Sequence, residues 1–364
     1  MESLGMMLFG GQYLNRRVLL TGHTGFKGSW LALWLKEMGA DVVGIALPPE
    51  SSPNHWDLLK LDMPDHRMDI QDSQALSRII METKPEIVFH LAAQALVRRS
   101  YREPLTTWAT NVMGTANLLE ACRQTESVRA IIVVTSDKCY ENREWPWGYR
   151  ENDRLGGHDP YSASKAASEI LSACYRSAYF QASGMPLLAT ARAGNVIGGG
   201  DWSEDRLIPD LVRAVSTQSS LEIRSPHAAR PWQHVLESLS GYLLLGQKLL
   251  EGRREFGEAW NFGPEQDSST TVSDVLAALT AQWHELRWHA TQQPQPHETT
   301  FLHLDSAKAR SRLGWRPVWR LEEALRETAA WYRAILNMGQ LTSREQLAAY
   351  ISAARSLEQE WAVP

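Results

Sequence analysis

The chain has 364 residues, of which 43% are hydrophobic and 22% charged, and its formal net charge is -5. This length suits one large α/β unit or two closely joined domains, and the weak negative charge gives no electrostatic reason to expect nucleic acid or a membrane surface as a partner. No signal peptide or membrane-spanning run is visible, and the spacing of the three cysteines indicates neither disulfides nor a metal site, so we expect a cytoplasmic protein.

Short apolar runs alternate with stretches of helical periodicity over the first half of the chain. The runs that predict strands lie at residues 17–21, 41–47, 86–91, 130–135 and 186–191. The stretches that predict helices lie at residues 26–38, 72–83, 105–123 and 161–180. This alternation predicts a Rossmann-like, doubly wound parallel sheet with helices on both faces, which binds ligands at the carboxyl ends of its strands.

The character of the sequence changes after residue 194. Residues 198–201 predict a flexible glycine loop, and the elements beyond it are shorter and less regular. We expect residues 1–194 to form a dinucleotide-binding domain and residues 195–364 to form mainly a smaller, C-terminal substrate-binding domain. The two are predicted to interleave, because a segment near 228–264 is expected to return to the large domain.

Gly22, Gly25 and Gly28 link the first predicted strand to the first predicted helix. The first permits a tight turn, the second lets backbone amides approach a pyrophosphate, and the third lets the helix pack closely on the sheet. An ordinary strand–helix turn shares the pattern, but its place at the start of a βαβ unit favours dinucleotide binding.

Two features of this region are unusual for a NAD site. His23 and Lys27 stand inside the turn, where smaller or apolar residues would leave more room, and Lys27 either holds phosphate or crowds the site. The second predicted strand ends without the acidic residue that grips the ribose of NAD. We therefore expect loose binding of NAD.

Tyr161 and Lys165 are four residues apart at the start of a predicted helix and project from one face of it. The ammonium lowers the pKa of the tyrosine and holds the nicotinamide ribose, so that tyrosinate takes a proton from a substrate hydroxyl while hydride leaves for NAD⁺. At the end of the preceding strand, Ser136 is placed to hydrogen-bond that hydroxyl. Asp137 and Lys138 add an acid and a base that hydride transfer does not need, although a surface ion pair would show the same pattern.

Together these motifs resemble the extended short-chain dehydrogenases/reductases over nearly the whole chain. The residues that carry this resemblance are Gly22, Gly25, Gly28, His90–Gln94, Thr110-Asn111, Tyr161 and Lys165. Three segments, 135–138, 194–202 and 230–235, are similar to the CDP-glucose branch of the sugar-nucleotide 4,6-dehydratases. Most sugar-nucleotide 4,6-dehydratases carry Thr-Asp-Glu at the catalytic strand end, and the lysine at position 138 is typical of the CDP-glucose branch.

The resemblance implies NAD-dependent conversion of CDP-glucose to a 4-keto-6-deoxy sugar. Tyr161 takes the proton of the C4 hydroxyl, Lys138 is the candidate base for the C5 hydrogen, and Asp137 is the candidate acid for the departing C6 hydroxyl. The split of roles between Asp137 and Lys138 stays open, because burial favours the required protonation states and mutual attraction opposes them.

The same resemblance assigns residues to each ligand. Those expected to contact NAD are Gly22, His23, Thr24, Gly25, Phe26, Lys27, Gly28, Asp69, Ile70, Ala92, Ala93, Gln94, Thr110, Tyr161 and Lys165. Those expected to contact CDP-glucose are Ser136, Asn195, Arg206, Leu207, Arg230 and Asn261. The arginines suit a diphosphate because a guanidinium donates two parallel hydrogen bonds, although each could equally be a surface residue.

Two other functions remain open at this point. A UDP-hexose 4-epimerase shares the glycine turn, Tyr161 and Lys165 but needs no acid and base at positions 137 and 138. A non-catalytic NAD sensor on the same fold would have no need of a tuned tyrosine. Family analogy implies a homodimer or homotetramer, and a place in deoxysugar biosynthesis for lipopolysaccharide O-antigen.

Overall fold

The structure is a computed structural model that describes residues 8–264, 270–291 and 302–363. Its strands, in chain order, are β1 (Arg17–Thr21), β2 (Asp41–Ala46), β3 (Asp65–Arg67), β4 (Ile87–His90), β5 (Ala130–Val134), β6 (Leu187–Ala193), β7 (Val196–Ile197), β8 (Leu221–Ile223), β9 (Ala229–Arg230), β10 (Gln233–His234), β11 (Ala259–Phe262), β12 (Thr270–Thr271) and β13 (Trp288–Ala290). The α-helices are α1 (Phe26–Glu37), α2 (His55–Leu59), α3 (Ser73–Thr83), α4 (Val97–Arg102), α5 (Pro104–Trp108), α6 (Thr115–Arg123), α7 (Pro160–Ala178), α8 (Leu207–Ser216), α9 (Val235–Leu250), α10 (Val272–Gln282), α11 (Leu321–Met338) and α12 (Ser343–Ser356).

Seven of these strands form one parallel sheet in the order β3-β2-β1-β4-β5-β6-β11. The first six follow the strand order of a doubly wound dinucleotide-binding sheet. Every residue of the central strands β4 and β5 is buried, as expected where helices cover both faces of the sheet. The predicted fold class is therefore confirmed.

The predicted helix 105–123 is interrupted in the structure. A π-helical turn at Ala109–Gly114 separates α5 from α6. The carbonyl oxygen of Asn111 accepts hydrogen bonds from the hydroxyls of Thr115 and Ser168 at 2.7 and 2.8 Å. These side-chain hydrogen bonds compete for a carbonyl of the helix, which is a recognised cause of a local change in helical pitch.

The C-terminal half returns to the large sheet. Helix α9 is buried along its whole length and packs against β5 and β6, and β11 pairs in parallel with β6. The remaining strands form three two-stranded sheets, β7 with β10, β8 with β13 and β9 with β12. One hydrophobic cluster extends from Leu8 to Ala362, so both halves of the chain share a core, and the boundary at residue 194 stays a prediction.

Among the described residues, no helix combines the length and the apolar character that crossing a membrane requires.

Candidate active site

A cavity of about 1880 Å³ opens at the carboxyl ends of the central strands. The predicted site residues come together in its walls with two exceptions, His23 and Asn261. The walls also include residues of the C-terminal half, among them 194–198 and 200–210. The sheet edge and the C-terminal half thus enclose one site.

Two glycines of the turn, Gly22 and Gly28, leave no room for a side chain. Gly22 has φ +76°, and a Cβ there would lie 2.6 Å from the amide nitrogen of Ala92. A Cβ on Gly28 would lie 2.0 Å from the carbonyl oxygen of Gly22. Gly25 precedes α1 and offers no capping side chain, so the first amides of the helix remain available to an anion. This turn fits a dinucleotide pyrophosphate.

His23 does not enter the cavity, contrary to expectation. Its side chain is fully buried, and Nε2 lies 2.8 Å from Oδ1 of Asp65 on β3. The ring packs against Trp56 and fills the space beside Gly44, where a Cβ would come within 2.5 Å of Nδ1. The crowding predicted for this side chain therefore lies behind β2 and not in the cofactor turn.

Lys27 does line the cavity. Its Nζ donates to the hydroxyl of Tyr242 on α9 at 3.1 Å. Burial, together with Arg206 and Lys165, lowers the pKa of Lys27 to about 7, and Asp137 acts in the opposite direction. The glycine turn therefore places near the predicted catalytic residues an amine whose charge changes close to neutral pH.

Asn111, which the sequence analysis left without a role, connects two walls of the site. Its Oδ1 accepts from the amide of Gln94 at 2.9 Å, and its Nδ2 donates to the carbonyl of Gln94 and to Ser164 Oγ at 3.0 and 2.8 Å. The side chain thereby ties the end of β4 to α7. Its place in a helical stretch gave no sign of this contact, because its partner Ser164 lies 53 residues further along the chain.

Ser136 and Asp137 follow β5 in a tight turn. The hydroxyl of Ser136 donates to Oδ1 of Asp137 at 2.9 Å and accepts from the amide of Lys138 at 3.2 Å. Asp137 is buried, and burial raises the pKa of its carboxyl despite the opposing effect of Lys138. For Asp137, burial therefore outweighs the attraction that the sequence left undecided.

Tyr161 and Lys165 stand side by side on the first turns of α7. Asp159 caps this helix through the amide of Ser162, and Ser100 accepts from the amide of Tyr161 at 3.1 Å. Burial raises the pKa of Tyr161 to about 12, while a hydrogen bond with Ser136 lowers it. Burial likewise lowers the pKa of Lys165 to about 8.

Four of the predicted substrate residues come from the segments that follow β6. Asn195, Arg206, Leu207 and Arg230 all line the cavity. Nη1 of Arg206 lies 3.0 Å from Oδ2 of Asp201, whose carbonyl accepts from the hydroxyl of Tyr332. Asp201 and Tyr332 were not among the predicted site residues, since the contact joins a loop to a distant helix, α11.

Asn261, in contrast, lies outside the cavity. It is fully buried, its Nδ2 donates to the carbonyls of Tyr149 and Asp305 at 2.8 and 3.1 Å, and its Oδ1 accepts from Tyr140 at 2.8 Å. All of its amide groups are therefore engaged in joining β11 to neighbouring loops, and the expected contact with substrate is not supported by its position.

Comparison with known proteins places this geometry in a family. The family model described as GDP-mannose 4,6 dehydratase matches residues 19–328. The CDP-glucose 4,6-dehydratase of Salmonella typhimurium is 46% identical over 93% of this chain and 97% of its own length. The fold is similar to an epimerase of Methanothermobacter thermautotrophicus, with a TM-score of 0.80, 23% identity and coverage of 93% of this chain and 98% of that one. It is also similar to the UDP-glucose 4-epimerase of Thermus thermophilus in complex with NAD, with a TM-score of 0.75, 25% identity and coverage of 87% and 99%. The chain therefore belongs to the GDP-mannose 4,6 dehydratase family of NAD-dependent sugar-nucleotide dehydratases and epimerases.

Proposed function

We propose that this protein catalyses the NAD-dependent dehydration of CDP-glucose to CDP-4-dehydro-6-deoxyglucose. The observation that carries the proposal is the 46% identity, over 93% of the chain, to a relative named for that reaction. The cavity supports it with a tyrosine–lysine pair and a buried carboxyl group in the same walls.

The glycine turn is the binding site for NAD in this proposal. Gly22 and Gly28 leave no room for a Cβ, and Gly25 leaves the first amides of α1 without a capping side chain. Both features suit a pyrophosphate. When bound, NAD supplies a hydride acceptor for C4 and a hydride donor for C6. Asp69, Ile70 and Ala92 also line the cavity and are proposed to contact the adenosine and nicotinamide halves.

Tyr161 removes the proton of the C4 hydroxyl. Ser136, hydrogen-bonded to Tyr161, orients that hydroxyl, and Arg206 lowers the pKa of Tyr161. Lys165, one helical turn further along α7, stabilises the tyrosinate when its amine is protonated. Because burial holds the pKa of Tyr161 near 12 in the free protein, the charges of Lys165 and of the bound cofactor are needed to bring it into the working range.

Elimination of water then uses the two residues after Ser136. Lys138 takes the proton from C5, which the C4 ketone has made acidic, and the C5–C6 double bond forms as the C6–O bond breaks. Asp137 protonates the departing hydroxyl, so that it leaves as water, and Lys138 returns its proton to C5 when C6 accepts the hydride. The raised pKa of the Asp137 carboxyl supports a role as proton donor.

The C-terminal half holds the sugar nucleotide. Arg206 and Arg230 bind the diphosphate, and Asn195 and Leu207 line the path to it. Asp201 orients Arg206 through their 3.0 Å ion pair. We propose on this basis that residues 195–364 act mainly as the substrate-binding domain.

We further propose a homodimer. Helices α5 and α7 and the π-helical turn expose large apolar side chains, namely Leu105, Trp108, Met113 and Ile170. Leu105 is 83% exposed. Adjacent exposed apolar patches of this kind suit a second copy of the chain, and light scattering of the purified protein tests the assignment. A cytoplasmic location and a place in O-antigen deoxysugar biosynthesis remain predictions.

The test is to incubate the protein with CDP-glucose, with and without added NAD⁺, and to follow the loss of one water by mass and the 4-keto product by its absorbance in alkali. Strong dependence on added NAD⁺ would support both the reaction and loose cofactor binding. Conversion of UDP-glucose to UDP-galactose without loss of water would replace the dehydratase with an epimerase.

A further inference from the structure

Glu169 is a buried carboxylate two helical turns beyond Tyr161 that the proposed reaction leaves without a role. Its side chain is 3% exposed, as is that of Arg192, and their Oε2 and Nη2 atoms are 2.8 Å apart. The carboxylate also accepts from the hydroxyls of Thr135 at 2.5 Å and Thr190 at 2.7 Å. A buried ion pair rarely adds stability over well-packed apolar side chains, so stability alone does not account for it.

The position of Glu169 links it to the catalytic residues. Tyr161, Lys165 and Glu169 follow one another at intervals of four on α7 and so lie along one face of the helix. Lys165 donates to the carbonyl of Val134 at 3.2 Å, and Glu169 binds the next residue, Thr135. The residue after that is the active-site serine. Two successive turns of α7 therefore hold two successive residues of the strand end that carries this serine.

The charges around Lys165 also connect Glu169 to the catalytic residues. The titratable groups that interact with it, besides Glu169, are Cys139 after β5, His90 on β4 and Lys27 on α1. Burial raises the pKa of the Cys139 thiol well above its usual range and lowers the pKa of His90 to about 3, so both are uncharged near neutral pH. When Lys27 is protonated, its positive charge disfavours protonation of Lys165.

Glu169 itself keeps its negative charge. Burial raises the pKa of its carboxyl, but Arg192 and the hydroxyls of Thr135 and Thr190 outweigh that effect and leave the pKa lowered. Arg192 in turn also donates a hydrogen bond from Nη1 to the hydroxyl of Tyr140 at 2.6 Å. Of the groups named, Glu169 is thus the one that favours an ammonium at Lys165.

We propose that Glu169 is a positioning residue of the active site, which fixes the end of β5 against α7 and keeps the side chain of Lys165 charged. The inference rests on the proposed function for its effect on turnover. It assigns Glu169 no contact with substrate or cofactor, since it acts through Thr135 and Lys165.

The test compares a variant that removes the charge of Glu169 with a variant that removes its contact with the end of β5. Glu169→Gln removes the negative charge, and Thr135→Val removes the contact with the strand end while the carboxylate stays. With Glu169→Gln, we expect the alkaline limb of the kcat–pH profile to move down by about one pH unit from the pKa of about 8 that Lys165 has in the wild type, so that turnover falls about twofold at pH 7 and about tenfold at pH 9. With Thr135→Val, kcat should fall by a similar factor at every pH.

A second readout does not depend on turnover. Lys165 lines the cavity, so trace acetylation followed by peptide mass spectrometry reports the pH at which its amine becomes reactive. We expect this midpoint to fall by about one unit in Glu169→Gln and to stay unchanged in Thr135→Val. The double variant Glu169→Gln/Arg192→Gln, which leaves no unpaired buried cation, should shift in the same direction.

An unchanged midpoint in Glu169→Gln and in the double variant would overturn the proposal, as would an equal shift in Thr135→Val, which indicates a purely structural role. If wild-type protein fails to convert CDP-glucose, the proposed function fails, whereas the acetylation midpoints still decide the relation between Glu169 and Lys165.

Discussion

The two ends of the cavity are built on different principles. Around α7, the site consists of buried side chains that bond to one another, such as Ser136 with Asp137 and Lys165 with the end of β5. At the glycine turn, the site consists of backbone and of the space that missing side chains leave. The first end depends on charge and proton affinity, and the second depends on shape. Substitutions should therefore affect turnover at one end and folding or cofactor binding at the other.

The largest effect is expected from Tyr161→Phe, which removes the proposed proton acceptor for the C4 hydroxyl. We expect kcat to fall by about 10³, with the affinity for NAD⁺ changed by less than about threefold because Lys165 remains in place. Steady-state turnover measures kcat, and protein fluorescence on titration with NAD⁺ measures the affinity. Tyr101→Phe, at an exposed tyrosine of the cavity rim, is the matched control. Nearly normal turnover of Tyr161→Phe would remove this residue from the reaction.

Asp137→Asn should separate the two halves of the reaction. Without the proposed proton donor for the C6 hydroxyl, formation of the 4-keto-6-deoxy product should fall by about 10²-fold. Oxidation at C4 should persist, and absorbance at 340 nm should rise with substrate and stay raised. Unaltered product formation would show that another group protonates the leaving hydroxyl.

At the glycine turn, Gly28→Ala should destabilise the protein itself. A Cβ there would lie 2.0 Å from the carbonyl oxygen of Gly22, whereas a Cβ on Gly25 would lie at 3.4 Å. Overpacking of this kind costs about 1–3 kcal/mol of folding free energy. The midpoint temperature of thermal unfolding of the cofactor-free protein should therefore be lower in Gly28→Ala than in wild type. Gly25→Ala should unfold like wild type and lose affinity for NAD⁺, and equal unfolding of both variants would contradict the shape argument.

The smallest effect concerns pH and Lys27. Burial lowers the pKa of Lys27 to about 7 from the usual lysine value of 10.5. Between these values the unfolded chain binds the proton and the folded protein releases it, so the free energy of unfolding should rise with pH from about 7 to about 10. Lys27→Met should flatten this rise, so that its stability relative to wild type is greatest near pH 7 and declines as the pH rises. Urea unfolding at pH 7, 8.5 and 10 measures the free energy of unfolding, with Lys36→Met on the same helix as control. If this free energy depends on pH in the same way in Lys27→Met and in wild type, the prediction is wrong.

Sequence patterns predicted the parts of this protein that rest on local periodicity. The central strands, the glycine turn and the spacing of Tyr161 and Lys165 follow from apolar runs, glycine and the helical repeat, because each of these acts over a few neighbouring residues. The tertiary structure decided what depends on distant partners. It turned His23 behind β2, engaged Asn261 in joining loops, and brought Asp201 and Tyr332 to Arg206.

The same division applies to protonation. The sequence determined which acids and bases follow β5, but the raised pKa of Asp137 and the buried pair of Glu169 with Arg192 arise from packing of α7 and β6 around them. Burial and charge depend on every element that surrounds a group, and those elements come from parts of the chain far apart in sequence.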